Sequence, residues 1–198
     1  MSSADDSLPP GRPTLERAFE ALVSTFNERQ INYAIIGGIA LIQHTRVRTT
    51  DDIDALLLVP QIGLPGLFEA LRRRGFTVDL QTNVREFLDD GFTALRFDDV
   101  QIDLMRPLIP TYNHVLERAI SANVLGQQVR ISSAEGLIVM KLIAMRLQDQ
   151  ADVKDLLRSY AGKLDLEFVR AEMNTFTPVD DPRRAKFDEW VLETSHPD

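Results

Sequence analysis

Residues Tyr33–Leu58 read YAIIGGIALIQHTRVRTTDDIDALLL, and this stretch decides the fold. Tyr33–Ile36 is a short aromatic and β-branched run ending in Gly37-Gly38, the pattern of a strand feeding a glycine turn. Ile39–His44 reads as the first turns of a helix. Ile53–Val59 reads as a buried strand closed by Pro60. Along a strand alternate side chains share a face, so Asp52 and Asp54 point one way while Ile53 faces the core. Two carboxylates on one face repel and are costly without a cation between them. Mg²⁺ suits them, because it takes a few carboxylates plus substrate phosphates rather than a full protein cage. The Gly37-Gly38 turn supplies the complement: a backbone that approaches closely and offers free N–H groups to a phosphate at a helix start. Asp103, within the apolar strand VQIDLM, is the candidate third carboxylate. Together these are the components of metal-assisted nucleotidyl transfer.

Outward from this stretch, Thr14 caps an amphipathic helix over about residues 14–30 carrying Leu15, Phe19, Leu22, Val23 and Phe26. Leu64–Arg74 is a helix stopped by Gly75, and Phe76–Leu80 alternates as a strand. Phe92–Phe97 and Val100–Met105 form a hairpin turning at Asp98-Asp99. Pro107 and Pro110 precede a helix over Tyr112–Ser121, and Val124–Ile131 reads as one strand despite Gly126. Ser132 or Ser133 caps a helix whose apolar period runs through Leu147. The chain is helical again from Ala151, with Pro178 and Pro182 before a last helix around Trp190. Strands mixed with helices through residue 131, and only helices beyond, predict an α+β fold. The sheet is small and mixed, flanked by helices. The expected organisation is a flexible N-terminus over 1–13, an α+β domain over 14–131 and a helical C-terminal lobe over 132–198.

Composition narrows the chemistry. The 198 residues are 44% hydrophobic and 26% charged, proportions of a globular rather than a disordered chain. There is no cysteine, which excludes disulfides, thiolate metal sites and cysteine nucleophiles. The three histidines His44, His114 and His196 make no zinc constellation, and His44 reads as a packed or surface residue rather than a base. Oxygen ligands remain, which again selects Mg²⁺, with Mn²⁺ as its substitute. The formal charge of −8 gives no general attraction to nucleic acid. The acidic, proline-rich start is no secretory signal and the apolar run Ala55–Val59 is too short to span a bilayer, so the expectation is a cytoplasmic protein without membrane contact.

Gly37-Gly38, Arg48-x-Thr50-x-Asp52-Ile53-Asp54 and the later strand aspartate Asp103 resemble the polymerase-β-type nucleotidyltransferase superfamily. More narrowly they resemble the small bacterial branch that includes abortive-infection-type toxin nucleotidyltransferases. That branch carries a helix with a lysine, an arginine and aspartates, matched here by Lys141, Arg146, Asp149 and Asp152. The likeness spans about Ile31–Arg158. It implies NMP transfer from an NTP to a hydroxyl on RNA, protein or a small molecule, with two Mg²⁺ ions. Asp52, Asp54 and Asp103 would be the catalytic, metal-holding residues. Gly37 and Gly38 would hold the triphosphate, Lys141 would neutralise phosphate charge, and Arg48 and Thr50 join the nucleotide site. Many members carry Gly-Ser where this chain has Gly-Gly. The implied partners are an NTP, a tRNA or small-molecule acceptor, and an antitoxin-like protein.

Plainer readings accompany these. Arg48 is equally a partner for the acidic turn, Thr50 a local cap, and Lys141 a side chain snorkelling from an apolar face. Arg72-Arg73-Arg74 complements a helix C-terminus. On one unbroken helix at about 100° per residue, Lys141, Gln148 and Asp152 share a face and Arg146 lies about 140° from Lys141, away from the cleft. A cationic small molecule such as an aminoglycoside suits an acidic protein. A non-catalytic nucleotide-binding or partner protein that keeps the fold is the alternative function.

Overall fold

Apolar side chains on both faces of β1 (Asn32–Ile36) and β2 (Asp52–Leu58) require cover on each side, and that requirement organises the molecule. The computed structural model describes residues 14–45 and 50–195; the N-terminal 13 residues, Arg48 and His196 lie outside them. Six strands form one mixed sheet in the order β3-β4-β2-β1-β6-β5, where β3 is Phe92–Phe97, β4 Val100–Met105, β5 Ile120–Val124 and β6 Gln127–Ile131. β1 and β2 are antiparallel, whereas β4 lies parallel to β2 and β6 parallel to β1. The α+β expectation, a small mixed sheet flanked by helices, is borne out.

The amphipathic α1 (Thr14–Glu28) buries Phe19, Leu22 and Phe26 and packs against α3 (Leu64–Arg73), β4 and β6. Directly after β1 comes α2 (Gly37–His44), packed on β1 and β2. After Ile131 the described chain is helical. α6 is Ala134–Ala144, α7 Leu147–Ser159, α8 Leu166–Phe176 and α9 Pro182–Ser195, with α4 (Leu80–Asp89) and α5 (Pro110–Glu117) earlier in the chain. Ser133 caps α6 by accepting the Gly136 N–H at 3.1 Å. One core runs from Phe19 and Ile53 through Leu137 to Phe187 and Trp190 of α9, so the C-terminal helices share the sheet's interior.

Three local expectations are corrected. Phe76–Leu80 is not a strand; only Thr77 bridges to Arg96, and Leu80 opens α4. The period-two alternation of Phe76, Val78 and Leu80 loses to a cap, because Asp79 accepts the Thr82 N–H at 2.9 Å and its own N–H donates to Asn83 Oδ1 at 2.9 Å. Helical spacing then buries Phe87 completely against Phe68, worth roughly 1.5–3 kcal/mol. The expected strand Val124–Ile131 is interrupted by a turn, and only Gln127–Ile131 is the second strand of a hairpin. Leu125 and Gly126 both have positive φ (49° and 79°), the geometry of a tight two-residue turn, so α5 stops at Glu117 and Ile120–Val124 becomes β5. The helix expected through Leu147 ends at Ala144, where Met145 is left-handed at φ 53° and Arg146 caps a new helix.

Candidate active site

The register of the sheet assembles the carboxylates. Asp54 stands opposite Ile36 at the end of β1 and beside Asp103 on the parallel β4. Asp52, two residues earlier, shares that face. All three line a cleft of about 640 Å³ together with Gly37, Gly38, Thr50 and Lys141. The structure therefore brings together every expected site residue that lies within the described residues. Asp52 is exposed, while Asp54 and Asp103 are half-buried.

The two glycines are fixed by their neighbours. Gly37 has φ +61°, and a Cβ there would collide with the Asp54 carboxylate; one at Gly38 would overlap the Thr50 side chain. The Gly38 N–H donates to Asp54. The turn is thus built around Asp54, and the Thr50 hydroxyl fills the space a serine side chain at position 38 would take. We expect Gly37→Ala to lower activity by about 100-fold or more, because the left-handed backbone costs about 1–2 kcal/mol in an L-residue and the methyl displaces Asp54. Steady-state kinetics beside a melting curve checks it: a variant with wild-type kcat/KM contradicts the close fit.

Burial, then Asp103 and Asp52 beside it, push the Asp54 carboxyl above its usual range, against the pull of the Gly38 amide and Lys141. Among the described residues no cation forms an ion pair with Asp52, Asp54 or Asp103. Nor do three acidic or histidine side chains there already converge as a metal cage. Asp103 Oδ1 accepts from Gln101 Nε2 at 2.9 Å instead. Repelling oxygen donors without a ready cage fit a hard divalent cation that brings its remaining ligands with it.

Across the cleft lies a charged network. Lys141 Nζ reaches Asp152 Oδ2 at 2.5 Å and Asp149 Oδ1 at 3.4 Å, with the lysine side chain 9% exposed and both carboxylates 3% exposed. Gln148 Nε2 donates to Asp152 Oδ1 at 2.9 Å. Asp149 accepts from the Arg146 N–H at 3.1 Å and from its Nε at 2.7 Å. Burial alone would raise the Asp149 carboxyl, but the guanidinium of Arg146 and the ammonium of Lys141 outweigh it and hold it below the usual range. Lys141, Gln148 and Asp152 do meet, but across a helix break rather than along one helix. Arg146, expected on another face, lines the cleft. Phe92, Met105 and Tyr112 complete its wall. Phe92 pairs with Met105 on the strand that carries Asp103, a relation readable only once the hairpin register is known.

His44 is a packing residue. Its Nε2 lies 2.8 Å from the Ser132 carbonyl, so that nitrogen carries the proton and donates, and Nδ1 accepts from the Tyr160 hydroxyl at 2.7 Å. Burial keeps its pKa below the ordinary histidine value.

A small mixed sheet that sets strand aspartates against a Gly-Gly turn, with helices closing the cleft, is the frame of a nucleotidyltransferase. The chain belongs to the family described as nucleotidyltransferase of unknown function (DUF6036), whose model matches residues 14–191, and it is an enzyme of that class. Among solved structures it is similar to the antibiotic-resistance factor ANT(2'')-Ia in solution, at 17% identity and TM-score 0.57, covering 89% of this chain and 96% of that one. The crystal structure of ANT(2'')-Ia with adenylyl-2''-tobramycin matches at 18% identity and TM-score 0.57, covering 90% and 99%. An antigenic nucleotidyltransferase-like protein from Paracoccidioides brasiliensis aligns at 16% identity and TM-score 0.47, covering 87% and 92%. These likenesses are of fold. No curated protein matches the chain. No helix among the described residues is long and apolar enough to cross a membrane.

Proposed function

We propose that the enzyme moves a nucleoside monophosphate from an NTP to a hydroxyl of a small, cationic acceptor, with Mg²⁺ (or Mn²⁺) held by Asp52, Asp54 and Asp103. The observation that carries this is the parallel register of Asp54 with Asp103, with Asp52 on the same face and the Gly37-Gly38 turn against them in one cleft. A divalent cation bound there supplies charge stabilisation to the phosphoryl group and acidifies the attacking hydroxyl. Gly37, Gly38 and Thr50 would flank the triphosphate, Arg48 is assigned to it on the sequence motif alone, and Lys141 adds positive charge to the cleft floor. Phe92, Met105 and Tyr112 offer apolar surface that excludes water beside Asp103, where an acceptor ring would rest. Acidic lining at Asp52, Asp54 and Asp103 favours a cationic acceptor over a polyanion. The crystal structure of ANT(2'')-Ia holds adenylyl-2''-tobramycin, the adenylylated form of a small polycationic molecule of that kind.

The test is transfer from each of four labelled NTPs with Mg²⁺, offered aminoglycosides, small polyols, bulk tRNA and protein. Label on a cationic small molecule that disappears with chelator supports the proposal. Label on tRNA, with growth arrest on expression that Asp54→Ala relieves, would move the acceptor to RNA and favour a toxin role with an antitoxin-like partner. Absence of both transfer and NTP binding would overturn the catalytic reading.

A further inference from the structure

The two cationic side chains among the described residues of the cleft are Lys141 and Arg146, and they are presented very differently. Lys141 is almost wholly enclosed, its ammonium bound between Asp149 and Asp152. Arg146 is 78% exposed, while the carboxylate that holds it, Asp149, is 3% exposed. The anions therefore lie underneath and the guanidinium lies on the cleft side. Its position follows from the helix break. Left-handed Met145 turns the chain, Arg146 becomes the cap residue of α7, and Asp149 grips both its backbone N–H and its side chain.

Asp149 uses one edge of the guanidinium: Nε to Oδ2 at 2.7 Å and Nη2 to Oδ1 at 3.3 Å. Nη1 and the second N–H of Nη2 have no partner among the described residues, and the carboxylate fixes the plane in which they point. Asp54, across the cleft, lies near enough for its charge to act on Arg146. A cation aimed into a cleft opposite repelling carboxylates is matched to a ligand that is anionic toward one wall and metal-bound toward the other.

We infer that Arg146, oriented by Asp149, is the side chain that directly grips the phosphate tail of the nucleotide, with Lys141 acting beneath it by holding Asp149 in place. This rests on the nucleotidyltransferase reading of the cleft. A planar fork with free N–H groups pairs with two phosphate oxygens at once, which an enclosed ammonium does not. The guanidinium needs no reorganisation to do so, since Asp149 has already fixed it.

The experiment is titration calorimetry on the full-length protein with Mg²⁺, using inorganic tripolyphosphate, each of four NTPs and the matching nucleosides as probes, for wild type, Arg146→Gln and Arg146→Lys. Arg146→Gln is expected to weaken tripolyphosphate and NTP binding about 10- to 100-fold and to leave nucleoside affinity unchanged, with a modest fall in melting temperature from the charge lost beside Asp149. Arg146→Lys should recover only part, because charge returns without the fork. Equal NTP and tripolyphosphate affinity in wild type and Arg146→Gln overturns the inference while leaving the nucleotidyltransferase reading standing. Loss of nucleoside affinity in parallel with NTP affinity would assign Arg146 a structural role and also overturn it. A wild type with no affinity for any NTP overturns both.

Discussion

Asp54→Asn is expected to reduce nucleotidyl transfer by at least about 10³-fold, while making the metal-free protein more stable at neutral pH. The loss follows if a divalent cation is central, since its stabilisation of phosphoryl charge is worth several kcal/mol and about 4 kcal/mol is 10³ in rate. The stability gain has a separate origin. Burial and the neighbouring Asp103 and Asp52 raise the carboxyl of Asp54, so the folded protein holds that proton more tightly than the unfolded chain. Folding stability from this group is then present in acid, below the ordinary carboxylate value, and is lost as pH rises through the raised one. Asparagine mimics the protonated form and carries no charge to repel. The difference in melting temperature between variant and wild type should therefore grow from acid to neutral pH and shrink when Mg²⁺ is added to wild type. Melting curves between pH 4 and 8, with and without Mg²⁺, decide it. A variant less stable than wild type at neutral pH in the absence of metal would contradict this account of the site.

Lys141→Met should cost about 3 kcal/mol, near the lower end for removing one partner from a buried ion pair. Asp152 is 3% exposed and loses the ammonium that neutralises it, while the Gln148 amide it keeps carries no charge. Asp149 keeps Arg146 and so suffers less. For a chain of this size the melting temperature should fall by roughly 6–12 °C. Adding Asp152→Asn to Lys141→Met should restore part of it, because an amide needs no counter-charge. Denaturant unfolding of the single and double variants measures both effects. A single variant within about 0.5 kcal/mol of wild type would show that the network does not support α6 and α7.

Asp52 and Asp54 are legible as a pair because strand periodicity is two and Ile53 between them must face the core. Asp103 is legible as an anomaly, a charge inside an apolar run. That it meets Asp54 is legible only through the family resemblance, not through the local pattern. The meeting depends on β4 lying parallel to β2 in one register, a long-range choice that neither strand encodes alone. The helix break shows the opposite failure. Met145 is a good helix former in a continuous apolar period, and local pattern argues for an unbroken helix. What overrides it is the grip of Asp149 on Arg146 and of Lys141 on Asp149 and Asp152, interactions between side chains three to eleven residues apart that compete with one further turn of helix. One continuous helix would turn Arg146 away from the cleft; the break at Met145 brings it to the cleft lining. The Leu125-Gly126 turn was obscured because leucine carries no hint of a positive φ.

The short helix that follows the glycine turn acquires a mechanical meaning from its two ends. Eight residues are too few for a helix to persist by propensity. α2 is held at its start by the Gly38 amide on Asp54, and at its finish by His44, pinned between the Ser132 carbonyl and the Tyr160 hydroxyl. It is a strut rather than a flap: to swing, it would have to release Asp54 and unseat His44 together. The reference frame against which substrates are placed is therefore anchored at both ends.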